Sequence, residues 1–95
     1  VIQIVAKYKL KPGVKEEYLR LSKELIDETR KEEGCIHYSI YEEINDSSIL
    51  AMLEEWKDED AIVSHNNSDH MKRIIPELKK LRESTEINLY REIDF

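Results

Sequence analysis

Apolar and polar residues alternate from Val1 to Leu10, a β-branched stretch that reads as a strand and stops at the turn signal Lys11-Pro12-Gly13. Val14, Tyr18, Leu21 and Leu25 then recur at helical spacing, with Leu19 and Ile26 widening the apolar face. Glu16 and Glu17 lie in the first turn of this helix and Arg30 and Lys31 near its last, as the helix dipole favours; Gly34 is expected to end it as a left-handed C′ residue. Cys35 to Ile44 and Ile49 to Lys57 read as two more strands, with Asn45-Asp46-Ser47-Ser48 as the hairpin connection. Asp58 is placed to cap a short helix through Ala61, Ile62 and Val63. A break at Asn66-Asn67-Ser68 follows, after which Ser68 or Asp69 caps a second run carried by Met71, Ile74, Ile75, Leu78 and Leu81. Pro76 is expected to kink or restart that run. Thr85 to Asp94 alternates as a final strand. The order β-α-β-β-α-β predicts an α+β, ferredoxin-like split βαβ domain over residues 1–95, an antiparallel four-stranded sheet with helices on one face.

That sheet has apolar residues on both sides. In the third strand Ile49, Ala51 and Leu53 oppose Leu50, Met52 and Trp56; in the second, Ile36, Tyr38 and Ile40 oppose Cys35, Ser39 and Tyr41. A half-solvated antiparallel sheet alternates more cleanly, so the uncovered set predicts a partner, most simply a second copy of the chain.

Composition narrows the function. Fifteen Lys and Arg against twenty-one Asp and Glu give a net charge of -6, and no basic stripe reverses that field, so nucleic acid and anionic membranes are not expected partners. One cysteine cannot form a disulfide framework and no Cys/His set has zinc-like spacing. With no apolar run of membrane-spanning length and no signal-peptide pattern, the chain is expected to be cytoplasmic and complete or nearly so.

The candidate chemistry lies around the helix break. His65 and His70 are five residues apart; on one unbroken helix they would diverge by about 140°. The break can turn both towards one place, where either imidazole could remove a phenolic or enolic proton. The plainer alternative leaves His65 as a helix-end residue and His70 as a first-turn polar residue. Trp56 is a large buried group by default. Glu54 shares its face with Met52 and Trp56, so it is either half of a structural ion pair or an acid with a raised pKa. Asn66 either ends the helix or donates to a substrate oxygen. Tyr38 and Tyr41 point to opposite faces, with His37 on the side of Tyr41. Met71, Ile74 and Ile62 would add apolar walls, and Cys35 reads as a small buried hydrophobe.

The Lys11-Pro12-Gly13 turn, the long helix, Glu32-Glu33-Gly34-Cys35 with Tyr38 three residues on, Glu54-x-Trp56, His65 and Ser68-x-His70-Met71 resemble the antibiotic biosynthesis monooxygenase family, especially its small bacterial quinol monooxygenases. The resemblance runs from about Lys11 to Leu78. It implies a dimeric α/β barrel with two sheets face to face, and a pocket inside each protomer between sheet and helices. It implies oxygenation of a hydroquinone or polyphenol by O₂ without flavin, haem or metal. His65 and His70 would be the catalytic pair, and Trp56, Glu54, Tyr38, Asn66, Met71 and Ile74 the substrate-binding residues. The family's haem-degrading members carry other residues at the positions of His65, Ile75 and roughly Ala6, which disfavours that activity here. A related isomerase of a small phosphorylated hydroxy-ketone (the autoinducer-2 processing type) shares the Glu-Glu-Gly helix end and the acidic helix start, and would need cations such as Lys72 and Arg73. A non-enzymatic dimeric binding module is the third reading.

Overall fold

The computed structural model describes residues 1–95 as β1 (Ile2–Leu10), α1 (Lys15–Thr29), β2 (Cys35–Glu43), β3 (Asp46–Trp56), α2 (Glu59–Asn66), α3 (Asp69–Lys79) and β4 (Arg82–Tyr90). The strands form one antiparallel sheet in the order β2-β3-β1-β4, the expected split βαβ arrangement. Register places Ile4, Ala6 and Tyr8 of β1 opposite Glu54, Met52 and Leu50 of β3, and all six are buried on the helix-covered face. Tyr18, Leu25 and Ile26 of α1 and Ile74 and Leu78 of α3 close the core over them. No helix is long and apolar enough to cross a membrane.

Several boundaries differ from the sequence reading. The β2–β3 hairpin turns in two residues, Ile44 and Asn45, and Asp46 to Ser48 already belong to β3. Cross-strand hydrogen bonding continues wherever a partner backbone is in register, and Glu43 pairs with Asp46. In β2 a register shift between Cys35 and His37 places Ile36 on a bulge, so it leaves the face of Tyr38 and is exposed. Cys35, opposite Trp56, packs against the core in its place. Leu19 is exposed, and the buried face of α1 includes Ser22 and Thr29 instead. Pro76 lies inside α3, which runs through it as one helix while Ile74 and Leu78 hold it to the core on either side. β4 ends at Tyr90 rather than Asp94.

Gly34 has a different role from the one its position suggested. The only left-handed residue is Gly13 (φ 78°), which the Lys11-Pro12-Gly13 turn requires. α1 ends at Thr29, with Arg30 still in right-handed geometry. What Gly34 provides is space. A Cβ there would stand 2.3 Å from the Cβ of Ala61, and the Gly34 carbonyl accepts from Lys57 N–H at 2.9 Å. Helix α2 can therefore lie directly against the turn that follows α1, and that contact positions the site.

Candidate active site

Four elements converge where α2 ends. The Asp58 side chain caps α2 by accepting from Ala61 N–H (2.8 Å), which sets the start of the helix and the direction of its last turn. Ser68 then serves both helices. Its hydroxyl donates to the His65 carbonyl (2.6 Å) and accepts from Met71 N–H (3.3 Å), ending α2 and starting α3 within one residue. The change of direction brings the rings of His65 and His70 to 6.0 Å between centroids. The helix break thus turns both imidazoles to one place.

The group they share is Glu32, in the turn before Gly34. His65 Nδ1–H and His70 Nε2–H both donate to the same oxygen, Glu32 Oε2, each at 2.7 Å. Because a carboxylate only accepts, each tautomer is set by this contact. In the neutral form of each ring, the lone pair is on Nε2 of His65 and Nδ1 of His70. The His65 side chain is 3% exposed, against 14% and 16% for His70 and Glu32, so the cluster opens to solvent on the latter two. Burial lowers the pKa of His65 below that of a free imidazole, with Glu32 opposing the shift.

Behind His65 lies an aromatic wall. Trp56, with no exposed surface, has its ring centroid 4.5 Å from that of His65, and Tyr38 meets the imidazole edge-on with centroids 5.4 Å apart. Trp56 Nε1–H donates to Glu54 Oε1 at 2.8 Å. Burial pushes the Glu54 carboxyl up to about 7, the Trp56 hydrogen bond opposing this and the charge of Glu32 adding to it. Burial likewise holds the Tyr38 phenol above its ordinary range. It also raises the half-buried Cys35 thiol, with Glu32 and Glu54 contributing, so Cys35 has little thiolate character.

The structure thus brings together His65, His70, Trp56, Glu54 and Tyr38. Ile74 is buried in the core and Met71 packs against it at the partly exposed rim. Asn66 is exposed and takes no part in the hydrogen-bonded cluster. The main hollow between helix and sheet, about 530 Å³, lies between α1 and β2, lined by Leu19, Ser22, Ile26, Ser39, Ile40 and Tyr41, and not by Trp56, His65, His70, Met71 or Ile74. A hollow of about 250 Å³ lined by Glu32, Gly34, Asp58, Ala61 and Ser64 borders the cluster on its Glu32 side. Glu32 is the residue that sequence reasoning missed. Its one local signal was the Glu32-Glu33-Gly34 helix end, and it meets its histidines across 33 and 38 residues of chain.

Comparison with known proteins agrees with this fold. The chain matches the antibiotic biosynthesis monooxygenase family over residues 1–77. It is 35% identical over 81 residues to "Putative monooxygenase YcnE" of Bacillus subtilis, covering 85% of each chain. A conserved protein of Methanosarcina mazei Go1 has a crystal structure similar to this one (TM-score 0.95, 49% identity, 97% of this chain and 92% of that one). A crystal structure of an antibiotic biosynthesis monooxygenase at 24% identity shares the fold, with a TM-score of 0.94 over 99% of this chain and all of the other. With residues 1–77 matched, the chain belongs to the antibiotic biosynthesis monooxygenase family.

Proposed function

We propose that this protein is a cofactor-independent monooxygenase that oxidises an electron-rich hydroquinone or polyphenol with O₂ as co-substrate. The observation that carries this reading is a buried imidazole, His65, whose Nδ1–H is held by a carboxylate while Nε2 is left to accept a proton. Removal of a phenolic proton by Nε2 yields a phenolate, a far better electron donor to O₂ than the phenol. Glu32 stabilises the imidazolium that forms, and His70 holds Glu32 in place from the other side. For a hydroquinone the balance is hydroquinone + O₂ → hydroxyquinone + H₂O. One oxygen atom enters the ring, the other leaves as water, and the substrate supplies all four electrons. Trp56, Tyr38, Ile74 and Met71 would exclude bulk water from the reduced-oxygen intermediates. Space for the ring has to be opened at the rim, where Met71 is an adaptable, unbranched side chain.

The isomerase reading has less support. Arg73 is half exposed and paired with Glu24 (2.6 Å) and Asp69 (3.6 Å), and Lys72 is exposed. The carboxylate bonded to His65 and His70 is Glu32, which would repel a phosphate.

The working unit we propose is a homodimer in the reducing cytoplasm. Val5, Ala51, Leu53 and Tyr41 lie on the sheet face away from the helices, and a second sheet would cover them. Ile87 and Leu89 of β4, in register with Ala6 and Ile4, are exposed on the helix side of the sheet and do not belong to this set. Light scattering after size exclusion should give twice the mass of the 11.3 kDa chain; a monomer at micromolar concentration would remove this part of the reading.

The activity test is oxygen consumption with a panel of hydroquinones and polyphenols, using chelator-treated protein. Uptake well above autoxidation, with a hydroxylated quinone as product, is the expected result. Uptake at the autoxidation rate across the panel would refute the assignment.

A further inference from the structure

The cluster can also hold something other than a proton. Glu32, His65 and His70 each offer one ligand atom, and the three atoms lie within 4.8 Å of one another. They come from three separate segments: the turn after α1, the last turn of α2 and the first turn of α3. We propose that this triad binds one divalent transition-metal ion of the zinc, cobalt or nickel type, and that the ion occupies the site in competition with the proton arrangement described above.

The donor set selects the class of ion. Two imidazole nitrogens and one carboxylate oxygen suit borderline first-row ions, whereas calcium and magnesium require a shell of oxygens. Three protein ligands leave a fourth position for water, and the partly exposed His70 and Glu32 provide the way in. The donors must rearrange: separations now up to 4.8 Å close and the shortest ones open. Two N–H groups now donate to Glu32 Oε2 at 2.7 Å. With metal bonds of about 2.0–2.1 Å in a tetrahedral site, those N···O separations would open to roughly 3.3 Å.

Protons balance without loss. A neutral His65 that gives Nδ1 to the ion carries its one proton on Nε2 instead, and His70 moves its proton from Nε2 to Nδ1. The ion therefore reverses the tautomer of both rings. His65 Nε2, the lone pair used in the oxygenase reading, becomes an N–H donor. The site follows from the placement of its three donors; the consequence, that a redox-inert ion such as Zn²⁺ inhibits oxygen uptake, rests on the oxygenase reading.

The test uses untagged, chelator-treated full chain titrated with Zn²⁺ in a calorimeter, and with Co²⁺ followed by visible absorption. The expected result is one ion per chain, with Co²⁺ bands of four-coordinate N/O ligation. His70→Ala and Glu32→Gln, both at partly exposed positions, should each weaken binding by at least about tenfold. His37→Ala should not, because His37 lies exposed on the opposite face of the sheet, bonded only to Tyr41. Circular dichroism and melting of each variant confirm folding. No saturable binding, or equal affinity in wild type, His70→Ala and Glu32→Gln, overturns the site. One-to-one binding that leaves oxygen uptake unchanged in an active enzyme overturns the tautomer consequence.

Discussion

His65→Ala is expected to lower kcat for the phenolic substrate by about 10²–10⁴-fold, or roughly 3–5 kcal/mol of barrier, with a much smaller change in KM. The size follows from the role: a base acts on the transition state, whereas the walls of the site hold substrate and transition state alike. Removing His70 should cost less, since in this arrangement it holds Glu32 and leaves Nε2 of His65 untouched. Loss of the ring also leaves a gap beside Trp56 and Tyr38, so His65→Gln, which fills more of the space, is the companion variant. A second readout separates a lost base from a damaged fold. As the pH approaches the phenol's own pKa, about 10, the substrate ionises unaided and the gap between wild type and variant should narrow. A deficit that stays constant to pH 9, or a change confined to KM, would remove His65 from the base position.

The second large effect is on stability. Glu54 has an ordinary value of 4.5 and, buried against Trp56, one of about 7. The folded chain therefore holds this proton more tightly than the unfolded chain. The stability it contributes is complete below pH 4.5 and is lost as the pH rises through 7. Between pH 5 and 8 that loss is about 2–3 kcal/mol. Glu54→Gln keeps an oxygen for Trp56 Nε1–H and cannot ionise, so the variant should gain on the wild type by that amount across this interval. His65, with its lowered pKa, acts in the opposite direction in both proteins and cancels in the difference. Urea unfolding at the two pH values measures the quantity directly. Parallel pH dependences in wild type and variant would mean that Glu54 is ionised in the folded state. In the oxygenase reading, a carboxyl that keeps its proton near neutral pH is a hydrogen-bond donor beside the aromatic wall rather than a second base.

Much of this architecture was legible in the linear order of residues. Period-2 and period-3.6 patterns gave the element order, because burial on one face of a strand or helix demands that spacing. The Asp58 and Ser68 caps were legible for a similar reason: a cap is a bond between neighbours in sequence. The helix break implied that His65 and His70 could converge, since a five-residue separation leaves few geometries. The bulge in β2, the end of α1 and the continuity of α3 were not legible. The exposure of Ile36 depends on how β2 registers against β3, and the continuity of α3 through Pro76 depends on the core under Ile74 and Leu78. Neither is a local property.

By itself, then, the sequence determined the split βαβ topology, the corner carrying the two histidines and the face shared by Glu54 and Trp56. Only the tertiary structure decided that Glu32 joins both imidazoles, that Gly34 serves a close approach to Ala61 and that Asn66 stays outside the cluster. The physical reason is range. Periodicity and capping act within a few residues, while the Glu32 contacts span 33 and 38 residues and exist only once α2 has packed against the turn after α1.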